Sequence, residues 1–169
     1  MKKLWLFVLS TALLLAVCAC GRKTNVPPDS TRPAVGNSIE ERYTEIMNDP
    51  ALSNVERAIG ISSLALEWDR EAERYYKEIW DVFDADIDGC ELWADSCRED
   101  AKQALQDYWE SRLRSDQLKL ELQESLIVNV YTSGSIGSIE IARFQYESSK
   151  QRALDFESMA LYLDRWGGI

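Results

Sequence analysis

The 169-residue chain carries 29 Asp and Glu against 19 Lys and Arg, a formal charge of −10, and no histidine. Such an anionic field repels phosphate and acidic lipid headgroups and attracts basic surfaces, which argues against a nucleic-acid partner. The missing histidine removes the usual general base, the common nucleophile triads and histidine-containing zinc sites, and the reading is of a non-enzyme.

The first seventeen residues, MKKLWLFVLSTALLLAV, place Lys2 and Lys3 ahead of an apolar run too short for a comfortable membrane span. That is the layout of a secretory signal. The following Val-Cys-Ala-Cys sets a small residue before Cys20, so residues 1–19 read as a lipoprotein signal peptide and Cys20 as the lipidated first residue of the mature chain. Acyl chains on that cysteine supply enough methylene for stable anchoring. Gly21 after the anchor points to the outer membrane of a two-membrane bacterium, with the protein facing the periplasm. Residues 20–38 hold three of the four prolines and almost no large apolar side chains, the composition of a tether. Without the signal and the tether's Arg22, Lys23, Asp29 and Arg32, residues 39–169 carry 14 basic and 28 acidic groups, a charge of −14.

That remaining segment has the size of one domain, and its pattern is helical. Ser38 is placed to cap a short helix, IEERYTEIMN, and Asp49-Pro50 resembles an N-cap followed by proline at the first helical position. Leu52, Val55, Ile59, Leu64, Trp68, Ala72, Tyr75, Tyr76, Ile79, Trp80 and Phe83 recur at threes and fours, with a kink or split expected at Gly60. A third helix is expected from about Ala94 or Cys97 to Ile127, with Ala101, Ala104, Leu105, Tyr108, Trp109, Leu113, Leu120 and Ile127 as its apolar stripe. The Gly- and Ser-rich segment 128–138 breaks the pattern, and Ser138 caps a last helix presenting Ile141, Phe144, Ala153, Phe156, Met159, Ala160 and Leu163. The fold class expected is all-α, a small antiparallel bundle of three main helices plus a short N-terminal one.

The segment DADIDGCELWAD, residues 84–95, admits two readings. Asp84, Asp86, Asp88 and Asp95 occupy oxygen-donor positions 1, 3, 5 and 12 of a calcium loop, with Gly89 at the turn and the Cys90 carbonyl at position 7. Glu91, Leu92 and the short Asp95 depart from that pattern, and there is no second loop to pair with. Export into an oxidising compartment would instead pair Cys90 with Cys97, a disulfide-closed connector. In a continuous helix those Cα atoms would stand about 10 Å apart, so the bridge requires a turn between them. The bridge is the expectation and calcium the alternative, with no other cofactor indicated.

Three patches in this layout resemble the lysozyme-inhibitor LprI-like family of small exported bacterial proteins. Asp69 and Tyr76 match the ends of an Asp-x-x-Leu-Asn-x-x-Tyr pattern whose centre here is Ala72-Glu73; Gln106 and Trp109 match Gln-x-x-Trp, with Arg112 and Arg114 flanking the expected basic residue; Gly134-Ser135 and Ser149-x-x-Arg152 match a Gly-Ser turn and a Thr-x-x-Arg element. Gln117 and Phe144 stand where the family commonly places cysteines, so its interhelical disulfide is absent and Cys90–Cys97 would be a private replacement. The resemblance implies a helical binding protein with lysozyme inhibition as its named activity, and a basic lysozyme or envelope toxin as its partner. Gln106, Trp109 and Arg152 read as packing and interhelical hydrogen-bonding residues. The loop holding Tyr131, Ser133 and Ser135 is the expected probe of a partner's cleft, since glycines let its backbone approach closely and Tyr131 offers an anchor. A glycosidase using paired carboxylates is the least favoured reading, because a slim helical domain offers no evident deep cleft.

Overall fold

The computed structural model describes residues 35–84, 95–130 and 135–167. They form four helices and, among the described residues, no strand: α1 (Val35–Asn48), α2 (Asn54–Asp84), α3 (Asp95–Val130) and α4 (Ser135–Gly167). The all-α bundle expected from periodicity is the observed fold. The compact unit Pro33–Ala160 holds the core, and the last turns of α4 fall in a second unit.

Side-chain pairings fix the directions. Arg42 forks onto Glu67 at 2.8 and 2.5 Å while Ile46, further along α1, meets Gly60, earlier in α2, so α1 and α2 run antiparallel. Lys102 reaches Asp84, Trp109 meets Tyr76, and Asp116 shares an arginine with Asp69, which makes α3 antiparallel to α2. Asp69 to Arg152 and Tyr75 to Glu157 set α4 parallel to α2. Short connections between successive helices impose this alternation.

The start of α2 is set by a reciprocal cap. Ser53 Oγ accepts from the Glu56 N–H at 3.3 Å, and Glu56 Oε2 accepts from the Ser53 N–H at 2.8 Å, satisfying two of the donors that a helix start leaves orphaned. Asp49-Pro50 was expected there but lies one turn earlier, in a bend where Asp49 Oδ1 accepts from the Ala51 N–H at 2.8 Å. Ser38 and Ser138 likewise sit inside helices that begin at Val35 and Ser135, one turn ahead of the expected caps. Gly60 does not split α2. A Cβ there would lie 2.9 Å from Ile46 Cδ1, so glycine lets α1 pack close while the helix continues unbroken.

The core is built on α2, which buries Ala58, Ile61, Leu64, Ala65, Trp68, Ala72, Tyr75 and Ile79 along one face. Ile39 of α1 and Ala142, Tyr146 and Ala153 of α4 close over it, with Tyr43 stacked on Tyr146 at 4.4 Å between ring centroids. Val55 and Ile59, expected among the core residues, lie on the opposite, exposed side of α2. Ala104, Tyr108 and Leu113 of α3 are exposed too, and Leu120 is only half-buried. The buried apolar residues of α3 are Leu105 and Ile127.

Candidate functional site

Where α2, α3 and α4 run side by side, a buried ion network sits directly beside an aromatic cluster. Arg152 is buried on α4, and its guanidinium donates from Nη1 to Asp116 Oδ2 at 2.9 Å and from Nη2 to Asp69 Oδ1 at 2.6 Å. Ser149, one turn back and also buried, brings its Oγ to 3.5 Å from the same Nη2. One arginine thereby bridges carboxylates from two other helices. Its planar, permanently charged fork suits that geometry as a lysine would not. Lys119 adds a longer contact to Asp116 at 3.7 Å from the solvent side.

One to two turns along the bundle axis, Trp109 packs between Tyr76 at 4.9 Å and Phe156 at 5.0 Å, and the Trp109–Phe156 pair is edge-on at 65°. Tyr76 also meets Phe156 edge-on at 6.0 Å, so all three helices contribute rings to one cluster, which Trp80 extends from Tyr76 and Tyr108 from Phe156. Such pairs add about 0.5–1.5 kcal/mol beyond area burial. Arg112, flanking Trp109 in sequence, pairs with Asp155 of α4 at 2.9 Å and ties down the border between network and cluster.

A second polar seam joins α1 to α4. Tyr146 is fully buried as a ring and donates its hydroxyl to Glu40 Oε1 at 2.9 Å, and Lys150 Nζ meets the same oxygen at 2.6 Å. Burial, then the hydrogen bond to a carboxylate, pushes the Tyr146 hydroxyl well above the usual phenol range. For the same two reasons Tyr75, whose hydroxyl donates to Glu157 at 2.7 Å, is pushed up to about 12.

Of the residues singled out from the sequence, Asp69, Ser149 and Arg152 converge on the ion network, and Tyr76 and Trp109 on the aromatic cluster. Gln106 belongs to neither. It is exposed and donates to Glu110 along its own helix at 2.9 Å, which corrects the expectation that it bonds between helices. Its position points away from the α3 register Leu105, Trp109, Arg112, Asp116, Leu120, Ile127 that faces the bundle. Asp116 was missed altogether. The available signal was its place in that register, where a carboxylate needs a buried partner.

Cys20, Asp86, Asp88, Cys90, Tyr131, Ser133 and Gly134 lie outside the described residues, and the side chains of Asp95 and Ser135 are likewise not described. Cys97 is an exposed free thiol in the first turn of α3. Asp84, the first oxygen donor of the calcium reading, is held by Lys102, and that ion pair keeps its carboxyl below the usual carboxylate range. The Lys102 ammonium also lies 5.6 Å from the centre of the Trp80 ring. Among the described residues no group of three or more potential ligands gathers around a metal position, and no helix is long and apolar enough to cross a membrane.

Compared with known proteins, the chain matches no family model, no curated sequence and no solved structure.

Proposed function

We propose that the chain is a lipid-anchored envelope protein whose acidic helical bundle binds a basic protein partner, an inhibitor of the LprI-like kind or a related immunity protein. One observation carries the reading. Asp69, Tyr76, Trp109, Ser149 and Arg152, motif residues spread over some eighty positions, meet in one place, the arginine network and its aromatic neighbour. The network itself is the brace, because its groups are consumed by one another. The partner is met by the outer helix faces, whose carboxylates give the domain its charge of −14 and steer a cationic protein in by long-range attraction.

The deciding experiment is inhibition of lysozymes of graded net charge by the purified protein, with and without added salt. Inhibition that rises with the enzyme's positive charge and falls with ionic strength supports the reading. No inhibition and no capture of any cationic envelope protein overturns it. The calcium alternative requires the Asp84 carboxylate that Lys102 holds. An unfolding midpoint that rises with calcium and falls with chelator would favour it over the binding reading.

A further inference from the structure

The outer face of α2 carries an apolar stripe that the bundle leaves uncovered. Val55, Ile59 and Leu66 are 53 %, 66 % and 58 % exposed and recur at helical spacing on the side away from the core. With Ala58, Ser62, Ser63 and Ser138 of α4 they line a shallow groove of about 540 Å³. Read along the helix, the stripe has the same character from either end. About a midpoint between the serines, Ile59 and Leu66 stand equally far out, and beyond them come an acid, Glu56, and a base, Arg70, the base one position further out than the acid.

We propose that this face binds a second copy of the chain, with α2 packed antiparallel on α2 about a two-fold axis passing between Ser62 and Ser63. A two-fold interface must be self-complementary, each residue meeting the residue equally far beyond the midpoint. In that register Ile59 of one copy lies against Leu66 of the other, and Arg70 of one lies one residue rise, about 1.5 Å, past Glu56 of the other, a stagger that its long side chain spans. Helical geometry puts Arg70 and Glu56 on the same edge of the stripe, so both symmetry-related pairs form together. The serines at the crossing are small enough for the axes to approach to about 8–10 Å.

Charge complementarity selects a second copy over another occupant. Arg70 is exposed, and the carboxylate it acts on within its own helix, Glu67, is already held through both oxygens by Arg42. Glu56 is exposed and uses Oε2 in the cap of α2. Two domains at −14 repel as whole bodies, and the arginine–glutamate pairs place the compensating attraction at this face alone. The stripe spans only about three turns, below the size of a standard stable interface, so the dimer is a weak one.

Sedimentation velocity of the full chain over a concentration series tests this, with helicity followed by circular dichroism. A reversible monomer–dimer equilibrium is expected. Ile59→Glu, at a site already facing solvent, should abolish it with helicity unchanged. Arg70→Glu should weaken it about tenfold, since it turns two attractive pairs repulsive. The swap Glu56→Arg with Arg70→Glu should restore most of the affinity, although it still lacks the glutamate of the cap. A chain that stays monomeric, a dimer indifferent to Ile59→Glu, or a swap that fails to rescue each overturns the proposal.

Discussion

Helices α2 and α3 are of similar length, 31 and 36 residues, yet they do different work. Helix α2 buries eight side chains along one face and touches every other helix in the core. Helix α3 buries Leu105, Ile127 and the carboxylate of Asp116, while Leu118 and Leu122 stand 56 % and 62 % exposed. Leucine content alone therefore does not make a core helix; the angular position of the leucines does. In α3 the inward register is filled at its centre by Arg112 and Asp116, so that helix is fastened by charge where α2 is fastened by apolar contact.

This contrast breaks first at the arginine. Arg152→Ala leaves Asp116 and Asp69 without their cation in a largely dry site, and about 3–5 kcal/mol of stability should be lost in chemical denaturation. If α3 were held chiefly by apolar packing, the loss would be much smaller. On the α2 side, Ile61→Ala removes a fully buried side chain and should cost about 2–5 kcal/mol. Ser53→Ala, which opens the cap of α2, should cost about 1 kcal/mol. Leu122→Ala on α3 should stay within about 0.5 kcal/mol despite deleting the same kind of side chain. A larger loss there would mean that the exposed leucines of α3 are covered in solution.

The two tyrosine seams give the comparison a pH dependence. An unfolded tyrosine ionises near 10, whereas Tyr75 holds its proton to about 12 and Tyr146 is raised as well, both by burial and a carboxylate acceptor. The unfolded chain therefore loses these protons first. Their contribution is complete below about pH 10 and declines as pH rises through the folded values. The thermal midpoint should fall over that alkaline window, and Tyr75→Phe should flatten part of the fall. A thiol assay bears on the remaining expectation: one or two reactive thiols at positions 90 and 97 would remove the bridge, and none would support it.

The existence and order of the helices were legible because 3.6-residue periodicity is a local property, imposed wherever one face must leave water. Trp68, Ala72, Ile79 and Phe156 followed from it directly. The caps were off by a turn because several Ser, Asp and Pro residues compete for the role within a few positions. Arg152 and Ser149 stood out through their motif, but Asp116 did not. A carboxylate in an α3 sequence full of carboxylates looks like one more solvated charge until a guanidinium from another helix is known to face it.

By itself the sequence determined four amphipathic rods, their order and their acidic surfaces, since these depend on side-chain character at fixed spacing along one chain. Tertiary structure alone decided which face of each rod turned inward, which carboxylates Arg152 would neutralise, and that Val55, Ile59 and Leu66 would be left outside. Those outcomes depend on which surfaces meet across distant segments. The free energy of burying a charge or an apolar group is set by the partner it finds there.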